Sequence, residues 1–368
     1  AFDTVDHNIL LRRHHQHFGL EGAALTWIDS FLKDRTQQGQ FNGSLSESIR
    51  LTCGVPQGSV LGPLLYLLYT SELFAVIEEH GLTAHSYADD TQAYLSLPAT
   101  DAQSAADRFV ACFDDILEWM GRNRLKLNTD KTQLIWIGTR QQLSKVSISE
   151  LRLRSTVVPF MPSVVDLGVI VDGELKLDEH VAKRCQSCYF QLRQLRQVRS
   201  SLPLDARKTL VHAFISSRLD YCNSLLFGVS EGLLDKLQSV QNAAARFVTG
   251  VRKFDHITPV LHDLHWLPLR KRITFKLATM VYKCLHGLAP VYLADDCTPA
   301  SSLQGRSRLR SASNYCLVWS GKASGSRLRT FSVSAPTVWN SLPAEIRLPG
   351  LSIDRFREKL KTYLFSLK

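Results

Sequence analysis

Residues 84–94 read Ala-His-Ser-Tyr-Ala-Asp-Asp-Thr-Gln-Ala-Tyr, and the adjacent carboxylates at its centre, Asp89 and Asp90, decide how the chain is to be read. The residues before the pair (Leu82 to Tyr87) and after it (Thr91 to Leu97) are short, β-prone or aromatic and carry little charge, so they predict two strands joined at Ala88-Asp89-Asp90-Thr91. Two carboxylates forced together repel, and at neutral pH a divalent cation or a shared proton relieves that repulsion. Mg²⁺ favours few carboxylates supplemented by substrate phosphates, which makes a hairpin-borne acid pair a candidate phosphoryl-transfer site. A solvated turn is the plainer reading of the dipeptide alone, and the rest of the chain has to decide between the two.

Working outward, the segments on either side alternate between helix and strand patterns. Helices are expected at residues 6–18, stopped by Gly19, and at 22–33, with Ala24, Leu25, Ile28, Phe31 and Leu32 on one face. Residues 36–53 predict a hairpin turning at Asn42-Gly43, with Phe41 and Ile49 buried. The most apolar run, residues 60–77, is interrupted by Thr70, Ser71 and Glu72 and predicts one buried helix, not a membrane span. Thr100 is the expected N-cap of a helix through Met120, followed by a strand at Thr132 to Ile137. A β-rich patch at residues 147–177 bends at Gly168 and Gly173. From Asp178 the pattern is helical, at 178–199, 204–219, 231–249 and 268–286, with Gly250 and Gly287 as stops. Ser301, Ser302, Gly305, Arg306, Arg308 and Arg310 predict a flexible basic linker, and Phe331, Trp339, Leu342 and a helix at Ile353 to Phe365 form a closing unit.

The chain has 368 residues, 45% of them hydrophobic, enough for a substantial core and two or three domains. Its formal charge of +10 is unevenly spread. Residues 1–180 carry 15 Lys/Arg against 23 Asp/Glu, a net of −8, and the remainder carries 29 against 11, a net of +18. An acidic half suited to metals beside a basic half suited to a polyanion is the division a nucleic-acid polymerase needs. The eight cysteines have no small-secreted-domain spacing, so reduced thiols are expected. Cys185 and Cys188 fall in the apolar series Val181, Cys185, Cys188, Leu192, Leu195, which favours core packing over a zinc or redox site. No secretory signal pattern opens the sequence, so an intracellular setting, nuclear or cytoplasmic, is expected. The sequence begins with Ala, not Met, and reads as a fragment.

Four strings together resemble one family. Tyr-Ala-Asp-Asp at 87–90 is similar to the signature of reverse transcriptases. Residues 54–66 resemble the family's template- and nucleotide-positioning segment, and residues 125–131 its later lysine motif. Residues 1–10 resemble the tail of the first metal-binding motif in the non-LTR (LINE-type) retrotransposon branch. Leu167 to Asp172 resembles the start of the primer-grip region, and residues 262–295 and 329–347 resemble trailing parts of such elements.

The resemblance implies an α+β fold: a right-hand polymerase palm and fingers at 1–177 with an antiparallel palm sheet, an α-helical thumb at 178–297, and a basic C-terminal region at 298–368. It implies an RNA-directed DNA polymerase using an RNA template, a DNA primer, deoxynucleoside triphosphates and two Mg²⁺ ions. By carry-over Asp89 is the principal metal ligand, Asp90 its partner, and Tyr87 packs near the primer end. Phe2 matches the aromatic gate against a ribose 2′-hydroxyl, Gln57 and Gly58 the contacts to template and nucleotide, and Lys131 the lysine serving the departing pyrophosphate. The family's first-motif Asp lies four residues ahead of the Ala-Phe-Asp string, before Ala1. The stretch as given is therefore expected to bind metal weakly, with Asp3 a poor substitute and Asp6 wanted as a helix cap. Arg193, Arg196, Arg199, Arg207 and Lys208, with Arg270, Lys271, Arg272 and Lys276, are candidate phosphate contacts, or simply solvated helix faces. The alternative is a non-catalytic nucleic-acid-binding remnant of such an element.

Overall fold

A computed structural model describes residues 2–154, 156–302, 315–318 and 330–367, and the chain divides into two units, Ala1–Pro162 and Ser163–Lys368. The sequence pattern put the first boundary at 177/178. The dividing line falls earlier because Val169, in the hairpin Ser163–Asp166/Val169–Asp172, shares a core with the helix Asp178–Gln197 that follows.

In the first unit the helix His7–Phe18 begins at Asp6, whose carboxylate accepts the N–H groups of Asn8 and Ile9 at 2.9 and 3.0 Å, and ends at Gly19 with φ 61°. Ahead of it, Phe2 and Val5 are bonded to the segment around Val55: Val55 N–H donates to the Phe2 carbonyl at 2.9 Å and Gly54 N–H to Val5 at 2.8 Å. The helix Gly22–Leu32 follows the pattern, though Ala24 is exposed. A hairpin does turn at Asn42-Gly43, but no described element covers it, so Phe41 is 80% and Ile49 66% exposed instead of buried.

The long apolar run is two helices, Leu61–Thr70 and Leu73–Glu79. Residues Leu61–Glu79 are long and apolar enough to cross a membrane on length and composition. The break between the helices explains the polar interruption: Glu72 is engaged by the buried guanidinium of Arg13 and faces the Trp119 indole N–H at 3.4 Å. Arg13 also donates to the Tyr69 carbonyl and to Asn123 at 3.0 Å, and lies over the rings of Tyr69 and Trp119. One buried cation thus ties the first helix to both halves of the run and to the end of the helix Ala102–Arg122.

That last helix starts after a 3₁₀ turn, Ala99–Asp101; Thr100 bonds the Asp101 carboxylate and does not cap it. No strand forms at Thr132 to Ile137, where Leu134 makes one isolated bridge to Phe160 and Trp136 stacks on the Phe160 ring at 4.7 Å. The expected palm sheet is likewise replaced, among the described residues, by separate two-stranded antiparallel ribbons. Strands predicted from local pattern carry no information about distant partners, and a sheet is a non-local object.

In the second unit the helices match the pattern closely: Asp178–Gln197, Leu204–Val211 running through a π-turn at His212–Ser216 into Ser217–Asp220, Glu231–Thr249 and Leu269–Leu285. A short helix, Ile257–Asp263, was not anticipated. The helices Phe331–Ser341 and Ile353–Ser366 share the core of this unit, with Trp339, Phe356 and Leu360 fully buried beside Tyr282. Ser301 and Ser302 close the turn Ala300–Ser302, whereas Gly305, Arg306, Arg308 and Arg310 of the expected linker lie outside the described residues.

Candidate active site

Strands Thr83–Tyr87 and Asp90–Tyr94 pair with Tyr87 opposite Asp90, so the turn is Ala88-Asp89 and Asp90 opens the second strand. Ala88 has a φ of 56°, a conformation a Cβ disfavours, which makes the tip a strained two-residue turn. Side chains alternate along the ribbon. Ala84 and Ala93 pack on the helices Leu73–Glu79 and Ala102–Arg122. Asp90 falls on the opposite face with Tyr87, His85 and Tyr94, where His85 and Tyr94 stack at 5.3 Å and bond at 2.9 Å.

Asp89 stands at the tip, and its surroundings are revealed by Tyr66. Burial, then the charge of Asp89, push the Tyr66 phenol up to about 12. Tyr66 in turn stacks on Phe2, ring centroids 4.7 Å apart. Gln57 donates to both oxygens of Asp3, at 2.8 and 3.1 Å. Tyr66, Phe2, Asp3 and Gln57 therefore belong to one neighbourhood, assembled by the pairing of residues 2–5 with residues 54–55, and the charge of Asp89 is felt at Tyr66. Gly58 has a φ of 76° and open space where a Cβ would stand, so its backbone can be approached closely. Lys131 is exposed in the turn Thr129–Lys131, without a described contact to this group. Tyr66 was not singled out from the sequence; its signal was an aromatic within the apolar run just after Gln57-Gly58.

The carboxylates of Asp89 and Asp90 are both exposed, with no hydrogen-bond or ion-pair partner among the described residues. Two adjacent carboxylates without a partner among the described residues suit a hard cation that takes further oxygens from a phosphate substrate. Among the described residues no group of three or more His, Cys, Asp or Glu side chains could enclose a metal, so the pair is a partial donor set. Cys185 and Cys188 are half-buried and buried as the apolar stripe implied, and burial raises both thiols, Cys188 to about 11.

The basic positions of the second unit sort into two groups. Arg270 pairs with Glu231 and, at 2.9 Å, with Asp235; Arg272 pairs with Asp220; Lys271 donates to the Leu367 carbonyl at 2.5 Å. Arg199 and Arg207 donate to the Phe247 and Val248 carbonyls, each at 2.8 Å, at the C-terminal end of the helix Glu231–Thr249. Arg193 and Arg196 are exposed with no carboxylate partner among the described residues.

Residues 1–169 match the family model described as reverse transcriptase (RNA-dependent DNA polymerase). The first 169 residues are thus similar to that family. The likeness extends further along the chain. It is 27% identical over 275 residues to a probable RNA-directed DNA polymerase from transposon X-element, and 25% identical over 282 residues to one from transposon BS, both of Drosophila melanogaster. These alignments cover 72% and 74% of this chain but 29% and 30% of the relatives. The mobile element jockey polymerase of the same fly is 23% identical over 273 residues, 72% of this chain and 29% of its own length. The chain thus resembles the reverse transcriptases of non-LTR elements and spans less than a third of the length of these relatives.

Proposed function

We propose that the chain is a polymerase module that extends a DNA primer on an RNA template, with Asp89 and Asp90 holding Mg²⁺. The observation that carries this reading is the acid pair at a hairpin tip, without a side-chain partner among the described residues, with the charge of Asp89 felt at Tyr66, which stacks on Phe2. When bound, Mg²⁺ stabilises the charge on the attacking and leaving oxygens of the phosphoryl transfer.

The remaining residues position the reactants. The Phe2 ring, backed by Tyr66, gives a flat apolar wall against which a nucleotide sugar can rest and an extra hydroxyl would crowd. Gly58 admits the backbone close to the nucleotide, and Gln57 exchanges its bond with Asp3 for one with a base or sugar. Tyr87 shares the exposed face of Asp90 and supports the primer end. Lys131 supplies positive charge to the departing pyrophosphate. Arg193 and Arg196 contact phosphates of the duplex, while Arg270 and Arg272, neutralised by their own acids, contribute less.

The test is primer extension on RNA with Mg²⁺. Extension by the native chain that Asp89→Ala abolishes supports the reading; extension that survives Asp89→Ala contradicts it. A second reading, a module that binds nucleic acid without extending it, is favoured by the partial donor set. It predicts salt-dependent binding to RNA and DNA with no extension in either protein.

A further inference from the structure

The turn that follows the helix Glu231–Thr249 has features that neither the acid pair nor the basic helix faces account for. Gly250 ends the helix with a φ of 85°, donating its N–H to the Arg246 carbonyl at 2.8 Å. Residues 251–256, Val-Arg-Lys-Phe-Asp-His, are then braced from within. The Asp255 carboxylate accepts the Arg252 N–H at 3.0 Å, Asp255 N–H returns a bond to the Arg252 carbonyl at 3.3 Å, and the Arg246 guanidinium donates to the carbonyls of Arg252 and Asp255, both at 3.3 Å. This brace holds Phe254 out in solvent, 93% exposed, more than any other large apolar side chain described.

A ring presented this way by an ordered loop, and not folded back onto the protein, calls for a flat partner. Its immediate neighbours are cationic: Arg252 and Lys253 are exposed without a carboxylate partner among the described residues, and the one acid of the loop, Asp255, is occupied by the Arg252 N–H. Arg199 and Arg207 add positive charge at the same helix end. An isolated aromatic face between cations fits a nucleotide, whose base offers a π-face and whose phosphates offer the charge. In a duplex the base faces are already stacked, so the fitting partner is unpaired.

We propose that Phe254 is a stacking platform for an unpaired base of single-stranded RNA or DNA, with Arg252 and Lys253 contacting the flanking phosphates. The proposal rests on the nucleic-acid-binding reading of the chain and is independent of metal chemistry at Asp89.

Fluorescence anisotropy of the whole chain, without nucleotides or Mg²⁺, tests it on labelled oligo-uridylate, oligo-thymidylate and a blunt duplex. Phe254→Ala should weaken single-strand binding roughly tenfold and leave duplex binding unchanged. Phe254→Trp should retain affinity, and Phe254→Leu, which keeps apolar bulk without the π-face, should lose as much as Phe254→Ala. Lys253→Ala should lower the slope of log affinity against log salt by about 0.7 on a single strand. The two homopolymers separate RNA from DNA as the preferred source of the base. Native binding that Phe254→Ala leaves unchanged, or that Phe254→Leu retains, overturns the stacking site alone. Absence of all binding by the native chain overturns the wider nucleic-acid reading with it.

Discussion

The two units solve the problem of burial differently. The second unit has one continuous core running from Val169 to Leu364, in which helices from both ends of the unit take part. The first unit has three smaller clusters, around Tyr69, around Ile77 and around Leu151, and it is linked through polar hubs such as Arg13 as well as through apolar packing. The acid pair sits in the second kind of environment. Its hairpin is packed on one face only and its tip is open, which leaves room for a large substrate. The lesson is that the continuous core supplies a stable, basic helical body, whereas the candidate catalytic groups depend on a few specific contacts between distant short segments.

The largest effect that would sharpen this contrast is expected from Trp339, fully buried against Phe356 and bonded through its indole N–H to the Tyr315 carbonyl at 2.9 Å. Trp339→Ala should destabilise the second unit by about 3–5 kcal/mol. Amide exchange should accelerate throughout the helices that share its core; acceleration confined to Phe331–Ser341 would break the picture of one continuous core.

Arg13→Ala is next. It strands Asn123 and the Tyr69 carbonyl in the interior and removes the partner of a Glu72 that retains some solvent contact, for a cost of about 2–3 kcal/mol. Exchange should quicken in His7–Phe18, Leu61–Thr70 and the end of Ala102–Arg122 together. If only the first helix responds, Arg13 is not a hub.

The smallest effect is a pH dependence of the second unit. His180 has its pKa lowered from 6.5 by burial and, secondarily, by the charge of Arg184, and its Nδ1 accepts the Ile170 N–H at 3.2 Å. The unfolded chain therefore takes up the proton first. Stability from this group is complete above about pH 6.5 and falls as the pH drops below it. Thermal melts of the second unit should show a midpoint that declines on acidification, and His180→Gln, which cannot titrate, should flatten that decline.

How much of this was legible in the sequence follows the same division. The helices of the second unit announce themselves through long apolar periodicity and through Gly250 and Gly287, whose φ values of 85° and 67° only Gly adopts easily. The acid-pair hairpin was also readable, although the turn lies one residue earlier than the Asp-Asp string suggested, because Tyr87 pairs with Asp90. What the sequence hid was non-local. Phe41 and Ile49 look buried by pattern, but no described element covers them; Leu134 looks like part of a strand, but makes only an isolated bridge, to Phe160. The link from Asp89 through Tyr66 to Phe2 depends on backbone bonds between residues 2–5 and 54–55, which no local pattern reveals. Charge counting overstated the basic helices in a similar way, since Arg270 and Arg272 find acids that lie 35 to 52 residues away.

The central claim is that the hairpin tip is where a metal binds, and Mn²⁺ titration followed by electron paramagnetic resonance tests it without requiring turnover. The native chain should take up Mn²⁺ competitively with Mg²⁺, and more tightly when a nucleoside triphosphate is present. Asp89→Asn and Asp90→Asn should each abolish that uptake, while Phe254→Ala leaves it intact. Uptake unchanged in both asparagine variants would contradict the account.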